Sequence, residues 1–194
     1  MKNKLLLGAL LLCTASLFTS CKDDNDSNPT LIQPTEFTLN TPAYINETVD
    51  LYFTSDLLLT WSQPKFTADN APINATYEIQ VSNSNSFTVS TAEAEADESG
   101  STVADYAVID RTTQLCTYRL LTEDLDKAMV KIAKWSEKDV PEVQPVYVRI
   151  CAYVLESGMK LKAINSNTIT ISTNPYYIEL KDAAPIMWYL VGNN

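Results

Sequence analysis

The sequence predicts a mainly β protein: an immunoglobulin-like or fibronectin-type antiparallel sandwich of about seven strands with one inserted helix at about 122–136. Three observations predict it. From Phe37 onward, short segments alternate apolar and polar residues with period two. Pro, Asn, Ser and Asp separate those segments, as turns between strands require. A single stretch beginning at Thr122 carries apolar residues at helical spacing instead.

The opening residues, MKNKLLLGALLLCTASLFTSC, combine Lys2 and Lys4, an apolar run from Leu5 to Leu12, and small or hydroxylated residues before Cys21. That is the layout of a secretion signal at 1–20. Its apolar run is shorter than the roughly 18 to 20 residues needed to cross a bilayer, so a permanent transmembrane helix is disfavoured. Leu17-Phe18-Thr19-Ser20-Cys21 resembles a bacterial lipobox, with Phe18 bulkier than the usual leucine. Cys21 is therefore the candidate lipidation residue; cleavage near Ser20 without lipid is the alternative. Several acyl chains on one cysteine would hold a protein in a membrane far more firmly than a single chain does. Lys22 to Gln33 is polar and acidic and cannot build a core, so 21–33 reads as a flexible tether with a reach of about 20 Å.

The folded part is expected over 34–180. Its clearest strand is Thr76-Tyr77-Glu78-Ile79-Gln80-Val81-Ser82, with Tyr77, Ile79 and Val81 on one face and Glu78, Gln80 and Ser82 on the other. Leu57, Leu59 and Trp61 line one side of a second strand; Val146, Val148, Ile150 and Ala152 line a third, and Ile169 and Ile171 a fourth. Weaker strands are expected at 49–53, 106–109 and 115–120. In the helix, Thr122 is the expected cap, Glu123, Asp124 and Asp126 crowd the first turns, and Lys131, Lys134 and Lys138 follow late. Its stripe of Leu125, Met129, Ile132 and Trp135 faces the sandwich. Ala92 to Ser101 is acidic and reads as an extended solvent loop; it lacks the order of an EF-hand calcium loop.

Composition narrows function. The net charge is −10, which argues against nucleic acid or an anionic lipid surface as a direct partner. The chain has no histidine, so Ser/His/Asp and Cys/His catalytic systems and His-ligated metal sites are excluded. Its four glycines fall in no phosphate-cradling pattern. With 24 carboxylates some pair will sit at glycosidase spacing in almost any fold, so that criterion alone assigns no enzyme. No cofactor, metal or catalytic residue is expected. A disulfide between Cys116 and Cys151 is chemically permitted outside the cytosol. Strand parity favours two separate thiols, because Cys151 alternates with core residues while Cys116 accompanies Tyr118 and Leu120. Trp61 and Trp135 read as core. Tyr52-Phe53 and Tyr176-Tyr177 each send one ring inward and one outward if extended, which leaves candidate surface platforms.

The whole order resembles the N-terminal part of the SusE/SusF family of outer-membrane glycan-binding lipoproteins. The resemblance rests on the lipobox followed by CKDD, the strands Leu57–Pro64 and Ala75–Ser82, Pro145-Val146-Tyr147-Val148-Arg149-Ile150 with its following turn, and Met187-Trp188-Tyr189-Leu190-Val191-Gly192. It implies a lipoprotein at the outer face of the outer membrane, accompanying a TonB-dependent transporter and a SusD-like partner and holding starch or another polysaccharide near the cell. It also implies that the first domain is a spacer and that sugar contacts lie on later modules. Residues 181–194 read as a linker and the first strand of such a module, and the sequence stops two residues later. No sugar-contacting residue is therefore carried over. The competing expectation is a protein-docking surface lipoprotein that contacts a transporter without binding sugar.

Overall fold

A computed structural model describes residues 30–180. The signal segment, Cys21, most of the tether and the stretch 181–194 lie outside the described residues. The chain folds as a mainly β sandwich. Its larger sheet has the order β2-β11-β9-β6-β7, with β10 also paired to β9. These strands are β2 (Thr48–Asp50), β6 (Thr76–Ser82), β7 (Ala107–Val108), β9 (Gln144–Glu156), β10 (Met159–Asn165) and β11 (Ile169–Asn174). Facing it, β3 (Asp56–Thr60) pairs with β8 (Thr117–Leu121) and is extended by a bridge from Leu39 to Trp61. β1 (Leu31–Ile32), β4 (Thr67–Ala68) and β5 (Ala71–Pro72) form a small third sheet. Leu31 and Ile32, expected in the tether, thus already belong to a sheet.

The strongest alternating segments form the longest strands because β-branched and aromatic residues suit a pleated, half-buried surface. Leu57, Leu59, Trp61, Tyr77, Ile79, Val81, Val146, Val148, Ile150, Ala152, Ile169 and Ile171 are all buried in one core between the two sheets. Trp61 sits edge-on to Tyr77 with ring centroids 5.2 Å apart. The weaker segments give shorter strands, shifted from the expected bounds. β10 was not anticipated from the sequence: its residues are mostly exposed and its pattern is polar. It follows Ser157-Gly158, both at positive φ, the two-residue turn that matches hairpin twist. A register shift between Leu161 and Ile164 then bends its free edge, which blunts an edge otherwise open to pairing.

Two helical expectations are corrected. The acidic insert is not wholly an extended loop: Thr91–Ala96 forms helix α1. The Ser90 hydroxyl accepts from the Glu93 N–H at 3.1 Å, and a Glu93 carboxylate oxygen accepts from the Ser90 N–H at 2.7 Å. This is a reciprocal capping box, and the sequence Ser90-Thr91-Ala92-Glu93 carried its signature. The second helix, α2, spans Thr122–Ala133 and stops before 136. Lys134 adopts the left-handed conformation and donates its N–H to the Val130 carbonyl at 2.8 Å, ending the helix. Thr122 is not its side-chain cap. β8 runs straight into the helix, Leu121 holds the cap position, and the Thr122 hydroxyl donates to the Thr54 carbonyl.

The chain enters the domain and β11 ends at different levels of β9. Gln33 donates to the Ala163 carbonyl beside the β9–β10 hairpin, at the level of Ala152. β11 leaves the sheet opposite Gln144, at the other end of β9. At ~3.3 Å per residue, Ala152 to Gln144 amounts to about 26 Å.

Candidate functional site

The end where β11 leaves the sandwich gathers most of the exposed aromatic surface. Two features build it: a tight turn after β2, and helix α2. In the turn, one Asp50 carboxylate oxygen accepts from the N–H groups of Tyr52 at 3.0 Å and Phe53 at 3.1 Å, and the Thr54 N–H returns to the Asp50 carbonyl at 3.0 Å. This is the local aspartate turn that competes with continued strand pairing. Leu51 stays buried, but Tyr52 is 68% and Phe53 83% exposed. The expectation of one ring in and one out fails here because residues 51–53 form a turn, where the two-residue alternation no longer applies.

Tyr52 stands edge-on to Phe53 at 5.0 Å and edge-on to Tyr176 at 5.3 Å, both at 87°. Such edge-to-face pairs are favoured by the ring quadrupoles. Tyr176 and Tyr177 do follow the alternating expectation: Tyr176 packs against the core and Tyr177 is exposed. Asp126 of α2 holds this segment down. It is fully buried, one carboxylate oxygen accepts from the Tyr176 N–H at 3.2 Å, and the other has no hydrogen-bond partner. Burial pushes its pKa up to about 6, against a small opposing effect of the Tyr176 N–H. Burial, followed by the nearby Asp126 and Glu123 carboxylates, raises the Tyr176 phenol.

Beyond Tyr176 the segment 177–180 runs beside α2 and borders an open groove of about 450 Å³. Trp135, Tyr177, Lys131, Lys134, Glu95 and Glu179 line it. Lys131 pairs with Glu95 of α1 at 2.7 Å, linking the two helices. Trp135, expected in the core as part of the helical stripe, is only partly buried and lines this groove. The left-handed residue at Lys134 takes it off the helix and out of the stripe. A second cavity of about 290 Å³ lies across Lys131, between α2 and β7, and includes Arg111, Asp110 and Asp124.

Other sequence-predicted positions have structural roles. Trp61 is buried in the core. Cys116 and Cys151 are free thiols; Cys151 is buried on the outer side of the sheet, and burial pushes its pKa up to about 11. In the acidic insert, Asp97 is ringed by the N–H and hydroxyl groups of Ser99 and Thr102, and those hydrogen bonds depress its pKa strongly. Its oxygens are already occupied by donors within the loop. Among the described residues no helix is long and apolar enough to cross a membrane.

The fold defines a β-sandwich domain with an inserted helix and an aromatic surface beside its C-terminal strand. In comparison with known proteins, no family model matches the chain and no solved structure matches it.

Proposed function

We propose that the protein is a cell-surface lipoprotein of a polysaccharide-uptake system, anchored in the outer membrane through Cys21 and contributing a tethered spacer domain. The observation that carries this reading is the separation between the point where the chain enters the domain and the end of β11. The segment following the lipobox-like leader joins the small sheet at Leu31–Ile32 and bonds to β10 through Gln33, while β11 leaves the larger sheet at the far end of β9. A sandwich that the chain enters at one level of β9 and that β11 leaves at the other has the dimensions of a spacer, about 26 Å along the strand between those two points, added to the tether's own reach. The resemblance of the leader, the CKDD run and the strand motifs to SusE/SusF lipoproteins supplies the polysaccharide context, with a TonB-dependent transporter and a SusD-like lipoprotein as partners.

Labelled palmitate should enter the wild-type protein and not Cys21→Ser, and the variant should leave the envelope fraction. Protease added to intact cells should cleave the wild-type protein. Cells lacking the protein should retain less polysaccharide. Unlabelled wild-type protein, or a Cys21→Ser product that still sediments with envelopes, refutes the anchor.

The docking alternative has one specific observation in its favour, the 83% exposure of Phe53 beside Tyr52, since clustered exposed aromatics often mark contact surfaces. A photo-crosslinking residue at position 53 distinguishes the two. Capture of the transporter supports docking, and absence of any protein adduct supports the spacer.

A further inference from the structure

The groove between α2 and the segment 177–180 differs from the aromatic corner beside it. Its walls combine two aromatic side chains, Trp135 and Tyr177, and the aliphatic Val130, Ile178 and Leu180 with two ammonium groups, Lys131 and Lys134, and two carboxylates, Glu95 and Glu179. The four charges balance, although the chain as a whole is at −10. An anionic or cationic ligand would meet a repelling charge for every attracting one. A wholly apolar ligand, with no hydrogen-bonding groups, would strip water from four charged groups and return no hydrogen bonds, a heavy desolvation cost. A neutral ligand with flat apolar faces and many hydroxyls satisfies both sets: its C–H faces lie on the rings, and its hydroxyls donate to the carboxylates and accept from the ammonium groups. About 450 Å³ falls within the usual range for a small-molecule site. The Lys131–Glu95 pair at 2.7 Å bridges α1 and α2 along one wall.

Resting on the polysaccharide reading above, we infer that this groove, walled by Trp135 and Tyr177, is a binding site for a neutral saccharide chain on the sandwich domain itself. The domain is then more than a spacer: it holds one stretch of glycan beside α2.

The test uses the detergent-solubilised full-length protein in native gels cast with amylopectin, a neutral β-glucan or a mannan as neutral probes, and polygalacturonate as an acidic one. At least one neutral polymer should retard the wild-type protein, and polygalacturonate should not. Tyr177→Ala and Trp135→Ala should weaken retention roughly tenfold, as truncation of a central aromatic contact does. Because Trp135 also touches the core, Lys134→Glu serves as a third variant. It unbalances the lining without removing an apolar contact and should also weaken retention. Phe53→Ala should leave retention unchanged. Retardation by none of the neutral polymers, preference for polygalacturonate, or wild-type retention by both Tyr177→Ala and Lys134→Glu would overturn the site. The anchor fails separately: absent palmitate labelling with intact gel retention refutes the lipoprotein reading alone, and the reverse outcome refutes this groove alone.

Discussion

The two faces of β6 share one strand, one register and nearly the same burial, yet opposite chemistry. Tyr77, Ile79 and Val81 point into the apolar core. Glu78, Gln80 and Ser82 point the other way and are also buried. On that outer face Glu78 meets Lys160 of β10, and Gln80 accepts from the Arg149 side chain at 2.7 Å. The Arg149 guanidinium lies 4.0 Å from the centre of the Phe87 ring, and Lys160 sits over Tyr153. Ser82 donates to the Asp105 carbonyl at 2.7 Å. Alternation in the sequence therefore reports the kind of environment a residue meets, and exposure is a separate matter. A polar residue can be buried wherever partners satisfy it.

The largest effect that sharpens this contrast comes from the apolar face. Ile150→Ala removes a fully buried side chain opposite Ile79, and chemical denaturation should show a loss of about 2 to 5 kcal/mol. Next comes Asp126, which belongs to neither face and has one unpartnered buried oxygen. Its folded pKa of about 6 lies above its ordinary 3.8, so the native state holds this proton more tightly than the unfolded chain. Stability from this group is therefore highest below about pH 4, falls as the pH rises toward 6, and then levels. Asp126→Asn should flatten that descent, a difference on the order of 2 to 3 kcal/mol between pH 4 and pH 7 in paired urea titrations. A difference between wild type and Asp126→Asn that stays constant across that window contradicts the assignment.

On the polar face the expected losses are smaller. Arg149→Met keeps apolar bulk but removes the hydrogen bond to Gln80 and the contact with Phe87, and should cost about 1 to 2 kcal/mol. Lys160→Met should cost about 1 kcal/mol or less by the same measurement, because the lysine is half exposed and its pairing with Glu78 is screened by water. If Arg149→Met were as damaging as Ile150→Ala, the two faces would be energetically equivalent and the distinction would fail. Smallest of all is Phe53→Ala, a change at an 83% exposed ring that should alter stability by no more than about 0.5 kcal/mol.

Much of the core is legible in the sequence alone. β6 carries the bounds read from its alternation, and the apolar sets of β3, β9 and β11 are buried as their parity required. The helix was legible in its stripe of Leu125, Met129 and Ile132. Little of the candidate site was. Tyr52 and Phe53 stood out as aromatic neighbours, but their common outward direction follows from the Asp50 turn, whose signal was one residue in a segment that otherwise reads as a strand. Trp135 looked like the last residue of the stripe until the left-handed Lys134 turned the chain. Asp126 looked like an ordinary first-turn acid; its burial depends on Tyr176, 50 positions away.

Local order along the chain fixed those features that repeat every two or every 3.6 residues, because a strand or helix face is set by neighbours close in sequence. It determined the sandwich class, the inward residues and the charge. Tertiary structure alone decided which outward residues would be covered, where the chain would enter the domain and β11 would end, and that Trp135 and Tyr177 would share one groove. Those outcomes depend on segments brought together across many tens of residues, and no periodicity in the chain encodes such a meeting.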